Sequence, residues 1–273
     1  MILAEEIRRR FPYLNTLSEI KEMSFPEQEW LIEPILPIGS TILAGPPKIG
    51  KSYFILDRIK EISDQGKEVV YYALEDGCRR LQARINQLGL TIDNVIFAPG
   101  READIGSNGT TFFNDVNELL ELRPSIKAVF IDTMTLALPR RAKARDYDDA
   151  VHDLKPWSDL AYSKNISILM VHHTRKSSGL PNHNPYDEIL GSQGIIGSFD
   201  TVMIMRGKET TDGKAAVLNI SGKDVEEQEY RLSKKDYGWS IEGLESIASL
   251  GSTQEKVHSH IMSNQGTTWL DML

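Results

Sequence analysis

From Gly45 to Ser52 the chain reads G-P-P-K-I-G-K-S, which puts Gly45, Gly50, Lys51 and Ser52 at every fixed position of the pattern G-x-x-x-x-G-K-[ST]. The chemistry that suits this pattern is the holding of a polyphosphate. Pro46, Pro47, Lys48 and Ile49 complete a loop whose backbone N–H groups can ring an anion, and Tyr53 continues into a helix. A helix N-terminus adds partial positive charge to the same spot. In such a loop Lys51 reaches the β- and γ-phosphates of ATP, and the Ser52 hydroxyl ligates Mg²⁺. The flanks agree with this. Thr41 to Ala44 is a short apolar run fit for a buried parallel strand. After Ser52, Phe54, Ile55, Ile59 and Ile62 recur at helical spacing.

Two carboxylates stand at the ends of other apolar runs. Ala128 to Ile131 delivers Asp132 at a strand end, about 80 residues past the loop, as a second residue for Mg²⁺. Glu68 to Leu74 delivers Glu75. In doubly wound sheets ligands sit at the carboxyl ends of strands. Glu75 therefore has two readings on spacing alone: an acid that polarises an attacking water, or a solvated acid capping the following helix. A third run, Ile166 to Val171, ends in His172 and His173. Adjacent residues of an extended segment face opposite ways, so the two histidines are poorly placed to share a metal. A polar switch beside the γ-phosphate is the better reading, with one of the pair a core residue.

Basic residues cluster in two places. Arg140, Arg141, Lys143 and Arg145 form one run, and Arg175 and Lys176 begin a Ser/Gly/Pro/Asn stretch. Both suit contact with a phosphate backbone, against the commoner alternative of a solvated charged loop. The chain as a whole carries a formal net charge of −8, which argues against coating nucleic acid with its entire surface but leaves local basic loops intact.

The elements that must position these groups alternate between strand and helix, which predicts an α/β fold with a mostly parallel sheet flanked by helices. Three shorter runs, Ala215–Ser221, Gln228–Leu232 and Gly238–Ile241, predict an antiparallel meander at the C-terminal sheet edge. At 273 residues the chain suits one large domain with appendages. The expected division is an arm over 1–36, a core over 37–243 and a helical tail over 244–273. Ser252 and Glu255 mark a helix start in that tail, which resembles the front of an incomplete helix-turn-helix. Apolar runs are too short for a membrane span. The N-terminal M-I-L-A-E-E-I-R-R-R lacks the apolar core of a signal peptide, and the single cysteine, Cys78, allows no internal disulfide. A cytoplasmic location is the expectation.

Taken in order, G-P-P-K-I-G-K-S, A-L-E-D-G-C-R-R-L-Q-A-R-I, V-F-I-D-T, V-H-H-T-R-K and G-S-Q-G-I-I-G-S-F-D resemble the RecA-like P-loop ATPases of the plasmid RepA-type and phage replicative helicase group, over roughly Trp30 to Ile241. The resemblance implies a RecA-like core that binds ATP and Mg²⁺, assembles as a homo-oligomer, typically a hexamer, works with other replication proteins and moves on single-stranded DNA. It implies that Glu75 is the catalytic glutamate, Asp132 the magnesium-side aspartate, and His172 or His173 the sensor of the γ-phosphate. A positive finger from a neighbouring subunit is implied as well, with Arg206 and Lys223 as candidates. Here the sequence departs from the group: it shows Gly222-Lys223-Asp224 where closely spaced Lys and Arg are usual.

Overall fold

The computed structural model describes residues 5–24, 28–100, 109–141, 146–174, 185–189, 193–208 and 215–244. Two short helices, α1 (Glu5–Arg10) and α2 (Leu17–Glu22), lie in the arm, followed by a small antiparallel pair, β1 (Trp30–Ile32) and β2 (Leu36–Pro37). Then come β3 (Gly39–Gly45), α3 (Lys51–Asp64), β4 (Glu68–Ala73), α4 (Cys78–Leu88), β5 (Val95–Pro99), α5 (Gly109–Leu122) and β6 (Ile126–Asp132). The second half runs α6 (Met134–Ala137), α7 (Tyr147–Lys164), β7 (Ser167–His173), α8 (Gln193–Ser198), β8 (Thr201–Lys208), β9 (Ala215–Gly222), β10 (Gln228–Lys235) and β11 (Gly238–Leu244).

One nine-stranded sheet holds β3 to β11 in the order β11-β10-β9-β8-β3-β7-β6-β4-β5. From β8 through β5 all neighbours are parallel, and β8 to β11 form the antiparallel edge. The expected architecture is borne out. The phosphate-loop strand β3 lies inside the sheet, between β7 and β8.

Both faces of the parallel part are buried, so its strands are apolar at successive positions. Alternation sorts them. Leu43, Val69, Tyr71, Phe130, Leu169 and Met203 join one core with Phe54, Ile59 and Leu81 of α3 and α4. Ile42, Val70, Tyr72, Val129, Met170 and Ile204 join the other, with residues of α5 to α8. Continued by one step, this alternation puts Asp132 and His173 on the α3 face and His172 on the opposite one.

Three features escaped the sequence reading. The arm contains α2, whose start is a complete capping box: the Thr16 hydroxyl accepts from the Glu19 N–H, and the Glu19 carboxylate accepts from the Thr16 N–H. The segment after Asp132 begins with the short helix α6, and Gln193–Ser198 folds as α8 rather than as loop. The expected tail helix at Ser252 lies outside the described residues.

The second core centres on Trp157 of α7, buried against Phe112 and Phe113 of α5 at ring-centroid distances of 5.8 and 5.0 Å. Trp157→Ala should lower the unfolding free energy by about 3–5 kcal/mol, read from a urea titration with an unchanged slope. A loss below about 1 kcal/mol would contradict this packing.

Candidate nucleotide site

The site forms where β3, β7, β6 and β4 end. Strand β3 stops at Gly45, and α3 begins at Lys51 after Gly50 takes a left-handed conformation with φ +107°. No side chain caps α3, so its first N–H groups face the loop unclaimed by a cap. Parallel register pairs Gly45 with His173, and the Thr174 N–H donates to the Gly45 carbonyl at 3.3 Å. Pairing of β4 with β6 sets Ala73 beside Asp132, and the Glu75 N–H donates to the Asp132 carbonyl at 3.3 Å. Backbone hydrogen bonding thus brings three sequence-distant segments to one edge.

Side chains complete the arrangement. The Ser52 hydroxyl donates to Asp132 Oδ2 at 2.7 Å, across 80 residues of chain. The hydroxyl of Tyr71, on β4, donates to the same oxygen at 3.2 Å. Lys51 Nζ donates to the carbonyls of Gly45 (2.6 Å) and Pro46 (3.0 Å) and stands 3.5 Å from His173 Nδ1. On the other side of that ring, Nε2 lies 3.6 Å from Glu75 Oε1. Lys51, His173 and Glu75 therefore form a line along the strand ends. His172 is buried at 7% exposure on the opposite face. Glu75 is exposed, and α4 starts instead at Gly77 with no side-chain cap, so Glu75 is not the cap of that helix.

Burial sets the electrostatics. Desolvation lowers the Lys51 pKa to about 8, against the opposing pull of Asp132 and Glu75. Desolvation also raises the Asp132 pKa, opposed by the hydrogen bond from Ser52, while the Glu75 charge pushes it further up. Among the described residues no three His, Cys, Asp or Glu side chains cluster as a metal cage. One hydroxyl and one carboxylate facing a phosphate loop do fit Mg²⁺, which takes its remaining ligands from phosphates and waters.

Other expected residues lie elsewhere. Arg206 leaves β8 two positions past the Ile204–Ala44 pair, level with the start of the loop. Its guanidinium donates to Asn219 Oδ1 through Nε at 3.1 Å and Nη2 at 2.7 Å, with Glu229 3.4 Å away. Lys223 follows Gly222, which pairs with Thr201, so it stands at the opposite end of the sheet and donates to Asp200 Oδ1 at 2.9 Å. Arg141 is engaged by α7: it donates to both oxygens of the buried Asp153 at 3.0 and 2.7 Å and pairs with Asp149. Arg140 lies at the end of the described segment. Lys143, Arg145, Arg175 and Lys176 lie outside the described residues.

Sequence reasoning missed Tyr71 and Asp76. A buried tyrosine in an apolar strand signals a hydroxyl in need of a partner. Asp76, next to Glu75, is buried and binds Arg80 at 3.0 Å and Arg84, whose guanidinium lies 5.5 Å from the centre of the Tyr53 ring.

The chain matches the AAA domain family over residues 7–179. It is similar to the solved ATPase domain of a phage helicase, with a TM-score of 0.58 and 16% identity, over 76% of this chain and 85% of that one. It is also 24% identical over 244 residues to the DNA repair protein RadA of Chlamydia muridarum, and 21% identical over 229 residues to that of Halalkalibacterium halodurans. These alignments take in 82% and 81% of this chain, which spans about half the length of the curated relatives it matches, 50% and 48%. Among the described residues no helix is long and apolar enough to cross a membrane.

The lowered Lys51 pKa gives a pH prediction. A bound polyphosphate favours the ammonium form, so binding takes up a proton wherever free Lys51 is neutral. ADP affinity should be flat below about pH 8 and fall as pH rises above it, with proton uptake seen by calorimetry in buffers of different ionisation enthalpy. Affinity that is constant from pH 7 to 10 would contradict a desolvated Lys51 at the phosphate. Geometry, family and fold agree: the chain belongs to the AAA domain family, with a RecA-like P-loop ATPase core of the replicative-helicase type.

Proposed function

We propose that this chain hydrolyses ATP and uses the energy to move on single-stranded DNA, as one subunit of a homo-oligomeric ring, probed first as a hexamer. The observation that carries the reading is the convergence of Lys51, Ser52, Asp132, Glu75 and His173 at one end of the sheet, with the glutamate beside the histidine. Gly45 to Gly50 and the first turn of α3 through Tyr53 hold the triphosphate by backbone N–H groups and dipole. Ser52 and Asp132 hold Mg²⁺, which neutralises charge on the phosphate oxygens when bound. Glu75 orients the attacking water and takes its proton as the water oxygen bonds to the γ-phosphorus and the bridge to ADP breaks.

His173 is the favoured sensor of the two histidines. It touches both Lys51 and Glu75 and precedes the stretch from Arg175, so loss of the γ-phosphate shifts that stretch and its grip on DNA. Arg140, Arg141, Lys143, Arg145, Arg175 and Lys176 remain the DNA candidates, with Arg141 needing release from Asp153. Arg206 or Lys223 of an adjoining copy supplies the finger, a contribution of about 10³–10⁵ in rate where such groups act in other NTPases. Arg206 is the stronger candidate, being level with the phosphate loop. Division of the chain into arm, core and tail, a cytoplasmic setting and service to a plasmid, phage or other mobile element with further replication proteins belong to the same reading.

The RadA matches favour a second reading: a recombination or repair ATPase that binds single-stranded DNA without unwinding. A forked duplex separates the two, since the first requires ATP-driven strand displacement by the assembled particle and the second gives DNA-stimulated hydrolysis alone. Glu75→Gln should lower kcat by at least about a hundredfold while leaving ADP affinity within about threefold. Undiminished turnover in that variant would remove Glu75 from the chemistry.

A further inference from the structure

The far edge of the sheet returns to the phosphate loop. Strand β11 lies against α3, and the Trp239 N–H donates to Asp57 Oδ2 at 2.7 Å, a link across 182 residues. The approach is so close that a Cβ at Gly238 would lie 2.8 Å from the Asp57 carboxylate. One residue further, the buried Trp239 indole covers Gly50: a Cβ there would meet Trp239 Nε1 at 2.6 Å. Gly50 is the left-handed residue that turns the loop into the helix. Tyr237, at the hairpin tip, stacks on Tyr53 in the first turn of α3 at 6.1 Å and 26°.

Ordinary core packing explains the indole ring but not its N–H. Trp239 Nε1 is buried and has no hydrogen-bond partner. Leaving such a donor unpaired costs about 1–3 kcal/mol, and most buried tryptophans find a partner. Trp239 keeps the cost at the one glycine whose conformation the phosphate loop requires.

We propose that Trp239 is a positioning residue of the nucleotide site: the β10–β11 hairpin, fastened to α3 through Asp57, roofs the loop and holds Gly50 in its left-handed turn before any anion arrives. Preorganisation of this kind adds affinity by removing an ordering cost at binding. The edge hairpin and the occupancy of the loop are then coupled, so nucleotide binding is felt at the antiparallel edge. This inference rests on the nucleotide reading of the loop.

The experiment compares the full chain with Trp239→Ala and Trp239→Phe, using ADP as the probe. Trp239→Ala should weaken ADP binding about tenfold and raise the KM for ATP in step, with kcat within about twofold, because the roof acts on ground and transition states alike. Trp239→Phe, which keeps a ring over Gly50, should recover most of the affinity. In the parent chain, ADP should change the tryptophan emission with a midpoint at its Kd, and Trp239→Phe should abolish that change although three of the four tryptophans remain. Alanine at 239 with parental affinity would overturn the proposal, as would an unaltered emission change in the phenylalanine variant. The emission arm stands even if the alanine variant does not fold. Absence of ADP binding by the parent chain is a different failure: it would sink the nucleotide reading itself.

Discussion

A single hydrogen bond, from the Ser52 hydroxyl to Asp132 Oδ2, closes the site. It joins the first turn of α3 to the end of β6, although β7 lies between β6 and the phosphate-loop strand β3. Strands two places apart are roughly 10 Å from one another. No local segment could bring a hydroxyl and a carboxylate together across that span. The parallel register, the crossing of α3 beneath the sheet and the alternation that turns Asp132 toward α3 all have to hold at once. The remaining groups follow from the same frame: Glu75 leaves β4 beside Asp132, and His173 ends β7 between the two.

Charge in this corner is uncompensated in a way that suits an arriving polyphosphate. Lys51 is buried and donates to two loop carbonyls, and burial depresses its pKa. Asp132 is buried and receives two hydroxyl donors, and burial raises its pKa. Each ion is held where water would otherwise solvate it. An anion beside Lys51 and a cation beside Asp132 would each relieve one of these costs. The loop N–H groups and the dipole of α3 act in the same direction as Lys51.

Much of this was legible in the chain itself. Gly45, Gly50, Lys51 and Ser52 are contiguous with their loop, and their chemistry depends on local spacing. The apolar runs before Asp132, Glu75 and His172 announce parallel strands by composition alone. The parity of β7 then decides the histidines, because the apolar assignments of Leu169 and Met170 fix which side each ring takes. What was hidden depends on distant segments meeting. Tyr71 looks like one more apolar strand residue until its hydroxyl is seen on Asp132. Asp57 and Trp239 are 182 residues apart and carry no motif. The short helices α6 and α8 have too few residues to display a period, and Gly194 and Gly197 within α8 disguise it further.

Family and fold give a P-loop ATPase core, and the proposals concern what that core is coupled to. Their common root is that Asp132 and Ser52 hold magnesium on a triphosphate gripped by Lys51. The most direct measurement is the affinity of a non-hydrolysable ATP analogue, with and without Mg²⁺, for the parent chain and for Asp132→Asn. Magnesium should tighten binding about tenfold in the parent, and this gain should vanish in the variant while magnesium-free binding persists. An equal gain from magnesium in both proteins would contradict the account.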